Sequence, residues 1–141
     1  MKKKVHKLQG FLPEDFQLIC IAAHQSDYRL SWALNEQLQL SLQKDQDLVV
    51  TIKKTDIHQH FTRFSFTDTN QHIRYYLIDN KSRQGFLLPE MKNIDFLLKV
   101  EGQPERHKLV SMVEEIRKIS FVVIAYLMED IPIKHKQKFI F

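Results

Sequence analysis

One cysteine, three glycines and four prolines are all that 141 residues contain of the types that staple or bend a chain. A lone Cys20 cannot form an intramolecular disulfide. Its place in the apolar run Leu18-Ile19-Cys20-Ile21-Ala22-Ala23 predicts a buried, reduced thiol rather than a nucleophile. Three glycines are too few for collagen-like repeats, flexible low-complexity linkers or glycine-rich phosphate loops. The sequence has no GxGxxG, Walker loop, GxSxG, HExxH or CxxC, so it shows no catalytic motif. Apolar runs stop at about eight residues, against about 20 for a membrane-spanning helix. The lysines near the start are not followed by an apolar stretch or cleavage site, so no secretory signal is predicted. A cytoplasmic chain without a membrane partner is the expectation.

What remains is ordinary for a folded globule: 43% hydrophobic and 27% charged residues, with ten Phe, four Tyr and one Trp to fill a core. The length suits one domain spanning residues 1–141. The formal net charge of +4 resides largely in two basic tails. Lys2, Lys3, Lys4 and Lys7 lie in residues 1–10, and Lys134, Lys136 and Lys138 in residues 129–141. Without these seven lysines the chain is slightly acidic, so its charge is a poor argument for a nucleic-acid partner.

The hydrophobic pattern alternates between two periods. Phe16 to Ala23 reads as a strand buried on both faces. Ser26 and Asp27 offer capping oxygens to a helix running to about Leu40, with Leu30, Ala33, Leu34 and Leu38 inward and Tyr28 and Trp32 beside them. Leu48 to Lys53, Phe61 to Thr67 and His72 to Ile78 alternate as strands, and Gly85 to Leu88 is a short extended piece. Ile94, Phe96, Leu98 and Val100 alternate with Asp95, Leu97, Lys99 and Glu101 up to Gly102. A second helix, starting at Pro104, carries Leu109, Met112, Val113, Ile116 and Ile119 on one stripe. Phe121 to Leu127 closes the series as an apolar strand. A run of strands flanked by two helices predicts an α+β fold: an antiparallel or mixed sheet of about six strands with both helices packed on one face.

The stretch Leu88-Pro89-Glu90-Met91-Lys92-Asn93-Ile94-Asp95-Phe96 resembles the signature of the IPExxxVDY family of small bacterial proteins. Pro89, Glu90 and Asp95 match it outright, while Leu88, Ile94 and Phe96 stand for Ile, Val and Tyr. Asp27-Tyr28-Arg29-Leu30 with Trp32 and Leu34-Asn35 is similar too, as are Tyr75-Tyr76-Leu77-Ile78 and Asn80-Lys81-Ser82. The resemblance implies no activity, cofactor or catalytic residue. Within the signature, Pro89 holds Leu88 extended and suits a strand end. Glu90 and Asp95 are either acceptors for main-chain N–H groups or a carboxylate pair lining one cleft of a small enzyme or ligand-binding domain.

Three other groups invite chemistry. Asp56, His58 and His60 have ligand spacing on a strand, but they fall where a loop is expected, and no metal or cofactor is predicted. With Asp68 to Gln71 as a hairpin turn, Phe66 faces Ile73, Phe64 faces Tyr75 and Thr62 faces Leu77 on the core side. The other face then pairs Thr67 with His72, Ser65 with Arg74, Arg63 with Tyr76 and Phe61 with Ile78. Arg63, His72, Arg74 and Tyr76 would form a basic aromatic patch on an open sheet face, suited to RNA bases and phosphates or simply to cross-strand cation–π pairing. Phe139-Ile140-Phe141 is an apolar triplet in a basic tail and should dock, on its own domain or on another copy. The resulting expectation is an interaction domain binding a protein partner or itself, through an edge strand or through Phe139 and Phe141. RNA binding by the hairpin face is the alternative.

Overall fold

The computed structural model describes residues 16–52 and 54–141. The basic stretch 1–10, Phe11, Leu12, Pro13 and Lys53 lie outside the described residues. The main sheet has six strands in the order β10-β1-β9-β6-β5-β2. These are β1 (Phe16–Ala23), β2 (Gln43–Lys44), β5 (Arg63–Asp68), β6 (Ile73–Asp79), β9 (Phe96–Glu101) and β10 (Val122–Met128). Every pairing in it is antiparallel. Two helices, α1 (Asp27–Leu38) and α2 (Arg106–Arg117), pack on one face, as the pattern predicted. Among the described residues, no helix is long and apolar enough to cross a membrane.

Side-chain alternation decides which face each residue serves. Ile19, Ile21, Phe64, Tyr75, Leu77, Phe96, Leu98 and Val100 meet Leu30, Leu34, Leu109, Val113 and Ile116 of the helices. Ser26 caps α1 by accepting the Arg29 N–H at 3.2 Å. The helix stops at Leu38 because Gln39 takes a left-handed conformation (φ 59°) and Leu40 bonds back to the Asn35 carbonyl. Helix α2 begins at Arg106, two residues after Pro104, with Glu105 at the capping position. Tyr28 packs edge-on against Phe64 yet stays largely exposed, as does Trp32.

The opposite face is not open. Phe16, Leu18, Cys20, Ile78 and Leu97 point into a second core closed by Leu48 and Phe61, by Leu87, Leu88 and Ile94, and by Phe139. Leu48 and Phe61 belong to an antiparallel hairpin of β3 (Leu48–Ile52) and β4 (Ile57–Phe61), and a small pair follows, β7 (Lys81–Ser82) with β8 (Gly85–Phe86). The segment read as a loop around His58 and His60 is therefore a strand, β4. Its Gln59 and Phe61 turn inward, leaving His58 and His60 on the solvent side, and Asp56 sits in the preceding turn.

The hairpin register also differs from the sequence reading. Arg63 opposes Ile78, Phe64 opposes Leu77, Ser65 opposes Tyr76, Phe66 opposes Tyr75, Thr67 opposes Arg74 and Asp68 opposes Ile73. The turn falls later, on residues 69–72, because the Asp68 carboxylate accepts the N–H groups of Asn70 (3.1 Å) and Gln71 (3.2 Å) and His72 adopts φ 57°. The shift is two residues, so every side chain keeps its face. Gly102 closes β9 with φ 108°, where a Cβ would lie 2.7 Å from the His72 carbonyl oxygen.

One buried amide shapes the second layer. Asn80 is fully buried; its Nδ2 donates to the carbonyls of Met91 (3.0 Å) and Ile94 (2.8 Å), and its Oδ1 accepts the Leu88 N–H (2.8 Å). Its main chain bonds Asp95 and Leu87. Asn80→Ala leaves these three main-chain groups unpaired, and a loss of about 3 kcal/mol in unfolding free energy is expected, measured by urea denaturation. A loss below about 1 kcal/mol would mean the loop holds its shape without the amide.

Candidate functional site

The sequence-predicted residues fall into three places. The largest group lies on the second face. Lys99 and Glu101 alternate with the helix-facing residues of β9, so they point into the second layer, where both are buried. Lys99 Nζ lies 2.5 Å from Glu101 Oε2. Burial pulls the Lys99 ammonium below its ordinary value, and the Glu101 carboxylate opposes that shift. Phe141, Phe16 and Tyr76 surround the ammonium, at 3.9, 5.0 and 5.2 Å from the ring centroids. Arg63 stacks over Phe141 at 4.7 Å and over Tyr76 at 5.7 Å, and donates Nε to the Gln46 carbonyl. Of the expected basic patch, then, Arg63 and Tyr76 are half-covered by Phe141, while Arg74 and His72 stay exposed. The sheet face is not the open platform that the pattern suggested. His72 and Arg74 line a shallow cavity of about 310 Å3 with Thr67, Asp68 and Thr69.

The basic tail reaches this face through the signature loop. Glu90 takes Lys134 Nζ at 2.8 Å and His135 Nε2 at 2.9 Å, and Lys138 donates to the Leu87 carbonyl at 2.6 Å. A short helix, α3 (Ile133–Lys136), presents Lys134 and His135, and the turn after it carries Lys138 and sets Phe139 against Phe16 in the core. The Lys134 hydrogen bond is the main reason the Glu90 carboxyl falls to about 2. Phe139 thus docks on its own fold, while Ile140 and Phe141 remain partly exposed.

The third place is a polar cleft of about 510 Å3, where the ends of β1 and β6 meet the start of β9 and of α1. Asp95 lines it, with His24, Ser26, Asp79 and Lys81. Its Oδ2 accepts the Ala23 N–H at 2.9 Å and its Oδ1 takes Lys81 at 2.8 Å. Glu90 does not line this cleft and serves different partners, so the two signature carboxylates do not form a pair. Across the cleft, Asp79 Oδ1 is buried with no hydrogen-bond partner. Burial, and then the neighbouring Asp27 charge, push its carboxyl up to about 8.

Sequence reading missed Asn80, Asp79 and the Lys99–Glu101 pair. Lys99 and Glu101 sit two apart in a strand whose other positions are apolar, a spacing that puts both on one face but looks the same for a solvated face. In comparison with known proteins, no family model matches the chain and no curated protein matches it. The likeness to the IPExxxVDY signature therefore stands on Leu88 to Phe96 and the shorter stretches alone.

Two outcomes are expected. Between about pH 4 and pH 8 the native state keeps the Asp79 proton that the unfolded chain has lost. Stability should therefore fall as pH rises through that window, and Asp79→Asn should flatten the slope and be the more stable form at pH 8; parallel slopes for both proteins would refute the buried carboxyl. Glu90→Gln should raise amide hydrogen exchange across residues 133–139 by roughly 2–5-fold, the scale of an exposed ion pair, while leaving β1 and β9 protected.

Proposed function

We propose that this chain is a cytoplasmic interaction domain that binds a protein, and that β10 is the strand it binds with. The observation that carries this reading is the state of that strand at the sheet's outer edge. Val122 to Met128 holds seven residues without one charge or proline. Val123 and Ile124 are 59% and 43% exposed. Edge strands that stay alone generally carry lysine, proline or inward charges to discourage pairing. Among the described residues, the blunting is Arg117, whose Nε donates to the Ala125 carbonyl at 2.8 Å, and a break in register beside Ala22 and Ala23. An extended segment laid along such an edge gains main-chain hydrogen bonds, and alternate side chains give it specificity.

The other expected contact, through Phe139 and Phe141, is engaged within the fold, and this favours the edge. The exposed Arg74 and His72 leave less of a stacking surface than the RNA reading requires.

The test is affinity capture from native lysate with the full chain as bait, beside Val123→Lys and Ile124→Lys. Both variants should lose the captured protein while their melting midpoints stay within about 3 °C of the parent, as expected for exposed sites. Identical captured proteins in all three would end the edge-strand reading.

A further inference from the structure

The partner of β10 can be specified further, resting on the reading just given. We propose that β10 pairs antiparallel with β10 of a second copy, in the register that sets Tyr126 opposite Tyr126.

Main-chain directions fix that register. The Asp95 N–H donates to the Ile21 carbonyl at 2.9 Å, so Ile21 directs its polar groups toward β9. Ile21 lies opposite Ala125, and in an antiparallel ladder both members of such a pair turn away from each other. Ala125 therefore points its N–H and carbonyl outward, and alternation makes Leu127 do the same. Val123 falls at the register break, which spoils the regular spacing there. Pairing Ala125 with Leu127 of the mate, and Leu127 with its Ala125, employs all these outward groups in four hydrogen bonds. The Ala125 carbonyl already accepts Arg117 but has a second lone pair. The same register brings the exposed Ile124 against Met128 of the mate.

A second copy fits because the surroundings of the strand match their own image. Beside it runs a groove of about 250 Å3 whose charged walls are Arg106, Glu114, Arg117 and Glu129, with Val110 between them. Two cations and two anions make it neutral, although the chain as a whole carries +4. A two-fold interface requires such self-complementarity. The axis of an antiparallel edge pair is perpendicular to the sheet, so both helix layers stay on one side. Each α2 then lies beside its mate, with the exposed Val110 between them.

Sedimentation equilibrium on the full chain should give twice the chain mass at concentrations on the order of 100 µM. Ala125→Pro should return it to one chain mass, since the lost N–H faces outward and donates no bond to β1. A second measurement does not depend on that variant folding. In a Cys20→Ala background, Tyr126→Cys leaves one thiol per chain, and a non-hydrogen-bonded pair holds its Cα atoms about 4.5 Å apart, within disulfide reach. Mild oxidation should link Tyr126→Cys into covalent dimers and leave Ile133→Cys, exposed but off the strand, unlinked. A single-chain mass at that concentration overturns the proposal, as does a dimer in which Tyr126→Cys links no better than Ile133→Cys. If the chain is monomeric yet the lysine variants lose a captured protein, the second copy is refuted and the edge reading stands. If it is monomeric and captures nothing, both fall.

Discussion

The side-chain amide of Asn80 places three hydrogen bonds on the backbone of Leu88, Met91 and Ile94, and its own main chain reaches Leu87 and Asp95. No regular ladder runs through Leu87 to Asp95, so these bonds replace the ones a strand or helix would supply. Because that loop is fixed, Leu87, Leu88 and Ile94 can close the second core, and Asp95 can reach the Ala23 N–H. Glu90 stands at the outer turn of the same loop, where it meets Lys134 and His135. The loop therefore links the cleft at one end of the sheet to the tail that covers its face.

Under that tail lies an arrangement that costs free energy before it returns any. Lys99 and Glu101 are taken out of water together, and Phe16, Tyr76 and Phe141 replace part of the ammonium's hydration with ring faces. A buried pair of this kind contributes little net stability, but removing either partner strands a charge. It fixes which residues sit above it: the docked Phe141 and the Arg63 stacked on it are held in one arrangement.

Much of the fold was legible because it rests on local periodicity. The two helices, their inward stripes and the long strands follow from apolar spacing alone, and even the misread hairpin kept its faces because the slip was two residues. The second layer was not legible. It is built from short strands, an irregular loop and a tail, whose places are set by contacts far apart in sequence, such as Glu90 with Lys134. Asp56 to His60 looked like loop because its inward residues, Gln59 and Phe61, lie partly beyond the polar run that drew attention. For the candidate site, residue types were legible and groupings were not. Arg63, Tyr76 and Phe141 meet, Glu90 and Asp95 do not, and no spacing rule separates these cases.

Cys20 lies at the centre of β1, between β10 and β9, fully buried and opposite Tyr126. Burial pushes its thiol up to about 11, against a smaller opposing hydrogen bond from Tyr126. The thiolate that reacts with disulfides and alkylating agents is thus scarce and shielded while the sheet is closed. Chemistry at this sulfur must wait for the middle of the sheet to open. The protein's one thiol is thereby an intrinsic clock for the rarest of its motions, reading the lifetime of the native sheet.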